Sequence, residues 1–379
     1  MITCRLHTIA RLAVVLACAC SAADPPRAPS ACAADAVTVV ATDYQSSGVG
    51  TISLSGAPPQ LLFGSELGGD PALSISGGRA FFLAREGAGA IFELGACGQG
   101  IGSFSPRATG DPATVDPQAV AALPDGSLLV TRFLVPTAIV LSPSGVPRAT
   151  IDLSSLDGDG NPNMSAADVA RVGGAAKAVV VLERLDDTTL YKLALQPASI
   201  ALIDAETLAV ESVIDLKVRN PFGRMDKHGD AEFWLAAAGD FAASSEPDAG
   251  IVRFDAAGRT ADLVVPETKL GGSVTEVAVA DGTRCGAAIV ADASAQNRTW
   301  VVTFNTVTGE VGAVASGPTA GYDLRGLAWA HDAGTLLVGD RTFAAGQGYP
   351  VHLLSRSGDC TLRPLRDVYL PLPAIAFRP

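Results

Sequence analysis

A two-strand unit recurs along this chain and limits its fold more than any other feature. In each unit an apolar segment leads into a short turn rich in Asp, Ser, Asn and Gly, and a second apolar segment follows, as around 255–258 and 305–309. The units begin near Ile52, Ile91, Ile139, Ile200, Ile251, Val301 and Val351. Their spacing of about 50 residues is typical of β-propellers, in which each repeat forms one sheet. The sequence therefore predicts an all-β, seven-bladed β-propeller of four-stranded antiparallel blades.

The two ends of the chain fit the same pattern. We name the strands of a blade A (innermost) to D (outermost). Residues 35–42 resemble a B strand with no A strand before it, and residues 373–378 resemble an A strand with nothing after it. We expect the N- and C-terminal strands to pair within one blade, because that pairing closes the ring and removes two free sheet edges.

The composition supports a β fold and limits the partners. Glycine and proline number 40 and 24, and only 17% of the residues are charged, which suits short strands joined by tight turns. The net charge of −12 disfavours nucleic acid as a partner, because such binding needs clustered Lys and Arg to displace counterions. Cationic ligands or metal ions are the partners that this charge favours.

Two hairpins resemble a known repeat. The segments FNTVTGEV at 304–311 and IDAETLAV at 203–210 resemble the strand–turn–strand of bacterial YVTN-type repeats, within the wider YVTN/NHL-like propeller group. The resemblance covers about residues 36–379. It implies the propeller fold and carries over no catalytic residue.

The N-terminus has the pattern of an export signal. Arg5 and Arg11 precede a short apolar stretch, and VLAC at 15–18 resembles a bacterial lipobox. We expect a signal peptide at 1–17, lipidation of Cys18, a flexible tether at 18–35 and the propeller at 36–379. The protein would then be an exported cell-envelope lipoprotein of the outer membrane, on its periplasmic or surface side, attached to the membrane only through the lipid. Ordinary secretion, with Cys18 removed, is the alternative.

Four cysteines lie beyond the start of the tether. In an exported chain an even number of cysteines favours disulfides, and two bonds among four residues allow three pairings. The disulfide candidates are Cys32, Cys97, Cys285 and Cys360.

Polar residues are predicted to meet at one face of the propeller. The D–A and B–C loops share the face around the channel mouth, where propellers commonly bind ligands. Carboxylates there could hold a cation or a hydroxylated ligand, and arginines could hold a carboxylate. Alternatively, these residues only end turns and join neighbouring blades. The candidate ligand-binding residues are Asp43, Asp70, Arg85, Asp116, Arg132, Arg184, Asn220, Asp240, Glu276, Asp292, Asp323, Asp340 and Arg341.

A second candidate site is a calcium loop, in which several hard oxygens must converge on one ion. Pro162 stands where the sharp turn of such a loop needs Gly, and an exposed Asp/Gly turn is the alternative. The candidate metal ligands are Asp157, Asp159, Asn161, Asn163 and Asp168. The longer segment 185–199 adds Tyr191 and Lys192 as residues that could overhang the mouth, or it is a tolerated surface loop.

The function predicted from these features is binding. No nucleophile–base motif is recognisable, so we expect a non-enzymatic propeller that binds a peptide, glycan or protein partner over the D–A/B–C loop face. The alternative is a calcium-dependent, lactonase-like hydrolase that uses an Asp/Glu/Asn ring at the channel mouth. We expect a monomer with no cofactor, calcium being the alternative.

Overall fold

The computed structural model describes residues 32–63, 68–86, 89–189, 193–240, 246–292, 298–330, 332, 334–358 and 360–379. The predicted signal peptide, the Cys18 lipidation site and most of the predicted tether lie outside this part of the chain. Within it, strands form seven four-stranded antiparallel sheets. No helix in the described ranges has both the length and the hydropathy that a membrane crossing requires.

The first half of the chain supplies three complete blades and most of another. The first three strands are β1 (Ala36–Thr42), β2 (Ser47–Ser53) and β3 (Gln60–Phe63). Blade 1 contains β4 (Pro71–Ser76), β5 (Arg79–Ala84), β6 (Ala90–Leu94) and β7 (Gly100–Phe104). Blade 2 contains β8 (Pro117–Ala122), β9 (Leu128–Arg132), β10 (Thr137–Leu141) and β11 (Pro147–Asp152), and a 3₁₀ turn (Ser154–Leu156) follows it. Blade 3 contains β12 (Met164–Val172), β13 (Ala175–Leu182), β14 (Ser199–Asp204) and β15 (Val210–Asp215).

The second half continues in the same order. Blade 4 contains β16 (Pro221–His228), β17 (Glu232–Ala237), β18 (Gly250–Asp255) and β19 (Thr260–Pro266), and a single helical turn α1 (Glu267–Leu270) follows it. Blade 5 contains β20 (Ser273–Val279), β21 (Cys285–Asp292), β22 (Arg298–Asn305) and β23 (Val311–Ala320). Blade 6 contains β24 (Leu324–Trp329), β25 (Thr335–Asp340), β26 (Tyr349–Arg356) and β27 (Leu362–Leu370). The last strand is β28 (Ala374–Arg378).

The innermost strands follow one another around a ring. β4, β8, β12, β16, β20, β24 and β28 each contact the next, and β28 contacts β4. β28 also pairs antiparallel with β1, with Thr38 opposite Arg378 and Val39 opposite Phe377. Blade 7 therefore consists of β28, β1, β2 and β3. The all-β, seven-bladed fold predicted from the sequence is confirmed.

The hydrophobic core lies between the blades. Seven clusters of buried residues are present, and each joins two neighbouring blades. Between blades 4 and 5, for example, the rings of Trp234 and Phe304 lie 5.8 Å apart. Because apolar burial contributes roughly 25 cal/mol per Å², these interfaces, rather than any single sheet, hold the ring together.

Two disulfides each join neighbouring blades at the face of the A–B and C–D turns. Cys32 bonds to Cys97, which ties the segment before β1 of blade 7 to the β6–β7 turn of blade 1. Cys285 bonds to Cys360 and ties blade 5 to blade 6. All four predicted cysteines are used, in one of the three pairings that the sequence left open.

Two local predictions were wrong. Ile52 ends a strand rather than beginning one, because β2 starts at Ser47 and its partner β3 starts only at Gln60. The Asp and Gly residues of the segment 226–230 predict an A–B turn in blade 4, but Asp226 and His228 belong to strand β16. β16 reads PFGRMDKH and is only partly buried, because one of its faces lines the central channel, so it lacks the apolar pattern of the other inner strands.

Candidate functional site

One backbone hydrogen bond recurs where the D–A and B–C loops meet. The first amide after strand B donates to the carbonyl of the residue just before strand A of the same blade. The pairs are Arg85 to Asp70 (3.2 Å), Phe133 to Asp116 (2.9 Å), Glu183 to Asn163 (3.1 Å), Ala238 to Asn220 (2.8 Å) and Arg341 to Asp323 (2.8 Å). Main-chain bonding therefore places the side chains just before strand A and those just after strand B at the same level of the channel mouth.

Three of these positions require an unusual backbone. Asp116, Asn163 and Asn220 have φ values of 54°, 47° and 51°. Asp and Asn tolerate this left-handed region better than other residues with a Cβ. The turn that starts the inner strand therefore explains in part why Asp or Asn stands at these positions. This agrees with the alternative stated from the sequence, that such residues end turns.

The mouth contains an open basin of about 420 Å³. Its polar groups include Arg85, Asp116, Gln118, Glu183, Asn220 and Asp240, and its apolar groups include Phe133, Leu185, Leu193 and Phe222. We call this the mouth basin. It combines hydrogen-bonding groups with aromatic faces, as small-molecule sites usually do.

A second cavity of about 170 Å³ lies deeper and is lined by residues of every innermost strand. Its charged lining residues are Asp70, Arg85, Asp168, Arg224, Glu276 and Arg325. We call this the inner chamber. It shares Arg85, Gln118, Phe222 and Gly223 with the mouth basin, so the two cavities adjoin. We call the two together the funnel.

An ion pair lies between the two cavities. The Arg85 guanidinium donates to Asp70 Oδ1 at 2.5 Å and to Gln118 Oε1 at 2.9 Å. The Gln118 amide in turn donates to Asp116 Oδ1 at 2.8 Å. These four side chains hold one another in fixed orientations at the point where a ligand would pass.

Two arginines face the inner chamber from different blades. Arg224 donates to the carbonyl oxygens of Phe377 and Leu327, at 2.8 and 3.0 Å, and so connects blade 4 with blades 7 and 6. The Arg325 guanidinium lies 5.8 Å from the centre of the Phe222 ring.

Two desolvated carboxyl groups accompany them. Burial raises the pKa of Glu276, against the opposing charges of Arg325 and Arg224, and Glu276 Oε1 accepts the Gly326 amide at 2.8 Å. Burial likewise raises the pKa of Asp168, whose carboxylate accepts the Ser76 hydroxyl of blade 1 at 2.5 Å. Both carboxyl groups are therefore protonated more readily than exposed acids are.

Glu183 is the most perturbed acid of the mouth basin. It directly follows β13 and is almost fully buried. Burial raises its pKa to about 8, with Asp116 adding to the increase and Ser165 and Arg85 opposing it. At neutral pH Glu183 is therefore largely a neutral carboxyl group that can donate a hydrogen bond.

The structure brings some of the predicted ring residues into the funnel. Those that line one or both cavities are Asp70, Arg85, Asp116, Asn220, Asp240 and Glu276. Asp240 is also paired with Arg219, whose Nη1 lies 2.9 Å from its carboxylate.

The other predicted arginines make local contacts. Arg132 is fully buried and binds Asp111 and the Thr137 carbonyl, so it anchors the loop before blade 2 instead of facing the channel. Arg184 reaches the Gln196 side chain at 2.9 Å and so ties down the long B–C segment. Arg341 stacks over the Tyr44 ring at 4.8 Å.

The remaining predicted carboxylates also have local roles. Asp43 accepts the amides of Gln45 and Ser46, which lower its pKa. Asp292 pairs with Arg298 at 3.3 Å.

Asp340 and Asp323 lie next to each other in blade 6. Burial opposes ionisation of Asp340, but hydrogen bonds from His352 and Thr342 lower its pKa. Burial and the nearby Asp340 raise the pKa of Asp323, against the charge of Arg341.

The predicted calcium loop is held by side chains of the long B–C segment. Asn161 and Asn163 both donate to the carboxylate of Asp187, at 2.7 and 3.0 Å, and Asp159 accepts the Asp187 amide. Asp157 contacts Arg184 and Gln196.

Asp168, the fifth predicted ligand, does not belong to that loop. It lies in strand β12 and lines the inner chamber. Among the described residues, no three His, Cys, Asp or Glu side chains are grouped in a way that could hold a metal ion. Tyr191 and Lys192 lie outside the described residues.

Sequence reasoning missed the deepest residues of the funnel. Arg224 and Phe222 lie within the inner strand β16 instead of in a loop, so the rule that loops line the mouth did not identify them. One signal was present: a charged residue next to glycine within an inner strand, as in Gly223-Arg224 and Arg325-Gly326.

No known family profile matches the sequence, and no curated protein matches it. Solved structures resemble the fold. A protein of Bacteroides uniformis provisionally assigned as a 6-phosphogluconolactonase aligns with a TM-score of 0.60 at 11% identity, over 89% of this chain and 98% of that one. A protein of Bacteroides fragilis with the same provisional assignment aligns at 0.57 and 10%, over 93% and 99%. The dihydro-heme d1 dehydrogenase NirN aligns at 0.54 and 12%, over 90% and 74%. At these identities the likeness concerns the fold alone.

Proposed function

We propose that this chain is a non-enzymatic binding protein of the YVTN/NHL-like propeller type, whose ligand enters the funnel on the D–A/B–C loop face. The observation that carries the proposal is that the mouth basin adjoins the inner chamber and shares Arg85, Gln118 and Phe222 with it. A concave site made of two adjoining cavities suits a small ligand or the end of a chain better than a flat protein surface.

The mouth basin favours a glycan among the predicted partners. Asp116, Gln118 and Glu183 offer acceptors and donors for hydroxyl groups. The rings of Phe133 and Phe222 provide apolar faces on which a sugar ring can lie. Sugars present both kinds of surface, hydroxyl groups at the edge and C–H groups on the face.

The rim of the same face carries exposed apolar side chains that could contact the rest of a longer ligand. Tyr44 is 39% exposed and Phe343 is 59% exposed, and both lie in B–C loops. Leu134 and Leu193 are exposed in the corresponding loops of blades 2 and 3. Isolated exposed apolar residues are ordinary, but a set around a cavity mouth is typical of a binding surface.

The calcium-dependent hydrolase is the second hypothesis, and the donor set does not favour it. The mouth carboxylates Asp70 and Asp240 are each paired with an arginine, so a metal would have to displace those cations. The observation in favour of hydrolysis is Glu183, since a carboxyl group with a pKa of about 8 could act as a general acid without any metal.

The proposal is tested with the full exported protein on glycan and peptide arrays. We expect glycans to bind the wild type, Gln118→Ala to lose most of that binding, and the melting temperature to stay close to the wild-type value. Gln60→Ala, on the exposed outermost strand of blade 7, is the matched control and should bind as the wild type does. Absence of any array ligand, or full binding by Gln118→Ala, would contradict the proposal. Hydrolysis of an aldonolactone that is lost in Glu183→Gln would favour the second hypothesis.

We also propose that the protein is held at the outer membrane through a lipid on Cys18. In support, Cys32 is bonded to Cys97 in a C–D turn, which holds the start of the described chain at the face opposite the funnel mouth. An anchor on that side would leave the mouth accessible. Incorporation of labelled fatty acid that disappears in Cys18→Ser is the expected result, and equal labelling of the variant would contradict the anchor.

A further inference from the structure

We infer that the ligand of the funnel carries a carboxylate, and that the inner chamber holds this group against Arg325, with Arg224 behind it. The inference rests on the proposed function and makes it more specific: the ligand class becomes an acidic glycan, one that contains uronic acid units.

Arg325 is the group that leads to this inference. It is half-buried, it lines the inner chamber, and its aromatic neighbour is Phe222. Among the described residues, none forms a hydrogen bond or an ion pair with its guanidinium. By contrast, Arg85 is paired with Asp70 and Arg219 with three carboxylates. A guanidinium inside a cavity without such a partner is a ready donor for a planar carboxylate.

Arg224 adds a second charge without a directly bonded counterion. Its two terminal nitrogens donate to the backbone carbonyls of Phe377 and Leu327. Those partners fix the position of the guanidinium, and the carboxyl groups of Glu276 and Asp226 act on its charge through space without bonding to it directly. Because guanidinium groups stay protonated at all ordinary pH values, this charge persists in the chamber.

Within the part of the chain that the structure describes, no acid of the inner chamber forms a direct ion pair with these two guanidiniums. The Asp70 carboxylate is already paired with Arg85 at 2.5 Å. Glu276 and Asp168 are both desolvated, which favours their neutral forms and raises their pKa values. Glu276 therefore moderates the charge of Arg325 but leaves its hydrogen-bond donors available to an anion.

The negative net charge of the whole chain, −12, does not exclude an anionic ligand. Exposed charges farther away than about 8 to 10 Å are largely screened at physiological salt. The two guanidiniums act at short range inside a cavity of about 170 Å³, where screening is weak. The expectation of cationic partners drawn from net charge therefore does not apply to this chamber.

A sugar fits the rest of the funnel better than a peptide end does. A carboxylate at Arg325 would leave the next groups of the ligand beside Phe222 and Gln118, which belong to both cavities. Beyond them lie Asn220 and the neutral carboxyl of Glu183. A row of hydrogen-bonding side chains against an aromatic ring matches successive hydroxylated rings.

The test is a calorimetric titration of the full protein with trigalacturonate and with its neutral methyl ester. We expect the acid to bind at least about tenfold more tightly than the ester, because a charge-assisted hydrogen bond contributes roughly that factor or more. In Arg325→Gln the acid should lose this advantage while the ester binds as before. Arg363→Gln, at an exposed position on the outermost strand of blade 6, is the matched control and should retain it.

The outcomes separate the inference from the function beneath it. Equal binding of acid and ester, or an unchanged preference for the acid in Arg325→Gln, would overturn the carboxylate assignment and leave the binding function intact. If acetyl-trialanine with a free carboxylate binds and trigalacturonate does not, the acidic-glycan assignment is wrong. If a neutral array ligand binds and both acids fail, the carboxylate is again excluded. Only the absence of every ligand would remove the binding function itself.

Discussion

The guanidinium carbon of Arg325 lies 5.8 Å from the centre of the Phe222 ring, although the two residues belong to blades 6 and 4. Blade 5 lies between them and contributes Glu276 to the same wall of the chamber. A cation over an aromatic face is attracted to it, so this contact fixes one side of the chamber across three blades. It leaves the guanidinium nitrogens free to bind a ligand.

Replacement of Arg132 should destabilise the fold instead of abolishing ligand binding. Its side chain is 0% exposed and pairs with Asp111. Arg132→Ala would leave a partly buried carboxylate without its partner, and the free energy of unfolding should fall by about 3 kcal/mol. Urea denaturation measures the change. Arg148→Ala, which breaks an exposed pair with Asp125, should lower it by less than about 1 kcal/mol. Equal losses in the two variants would show that Arg132 is not an anchor.

Glu183 should make stability fall as pH rises. Its pKa is raised from 4.5 in the unfolded chain to about 8 in the fold. The folded state therefore holds a proton that the unfolded state has released between these values, and the free energy of unfolding decreases across that interval.

Glu183→Gln should remove this component of the pH dependence. The variant should match the wild type near pH 4 and be the more stable of the two at pH 8 to 9, as measured by urea unfolding at each pH. A constant stability difference at all pH values would mean that Glu183 ionises normally.

His352 should contribute a second pH-dependent component. Hydrogen bonds with Asp340 raise its pKa, with burial opposing and Asp367 adding to the increase. A raised histidine pKa gives stability that is fully present below the ordinary value of about 6.5 and is lost as pH rises through the higher folded value. The gap in unfolding free energy between wild type and His352→Gln should therefore be largest in mild acid and shrink towards alkaline pH. A gap that widens with pH would contradict the pairing.

The approach of blade 6 to blade 7 can be tested with a pair of glycines. Gly326 and Gly78 have similar φ values, 72° and 75°. A Cβ on Gly326 would lie 2.8 Å from the backbone carbon of Ile375, whereas a Cβ on Gly78 would meet nothing within 4 Å.

Alanine at Gly78 should cost only the strain of a left-handed backbone, about 1 to 2 kcal/mol. Alanine at Gly326 should cost roughly a further 1 to 3 kcal/mol, because the two inner strands must move apart. Thermal or urea unfolding of the two variants gives the comparison. Equal costs would show that the contact between β24 and β28 adapts freely.

The sequence predicted the architecture because its strongest signals are local. The hairpin turns contain Gly, Asp and Asn at fixed spacing, and these residues choose the turn conformation wherever they stand. The inner strand β16 escaped detection because polar residues interrupt its apolar pattern. Asp226 accepts the Val279 amide of blade 5, and Lys227 donates to the Val169 carbonyl of blade 3.

The site was predicted only in part, because the position of a residue along a strand does not show which way its side chain points. Asp116 and Asn220 follow from the rule that loops before inner strands line the mouth. Arg132 ends a B strand on the same face and yet its side chain turns into the interior, where it pairs with Asp111. Arg224 lies in the middle of β16 and Arg325 near the start of β24, and only the closure of the ring places both at the inner chamber. The disulfide pairing likewise depends on which blades are neighbours.

The recurring bond between the amide after strand B and the carbonyl before strand A involves main-chain atoms alone. Five blades therefore hold the side chains of the channel mouth on a common main-chain frame, and only Asp116, Asn163 and Asn220 among the positions before strand A are further restricted by a left-handed backbone. Substitution at Asp70 or at Arg85 can change what the protein selects while the frame that carries both residues keeps its shape. Such a molecule can acquire a new specificity over evolution, or in the laboratory, one position at a time.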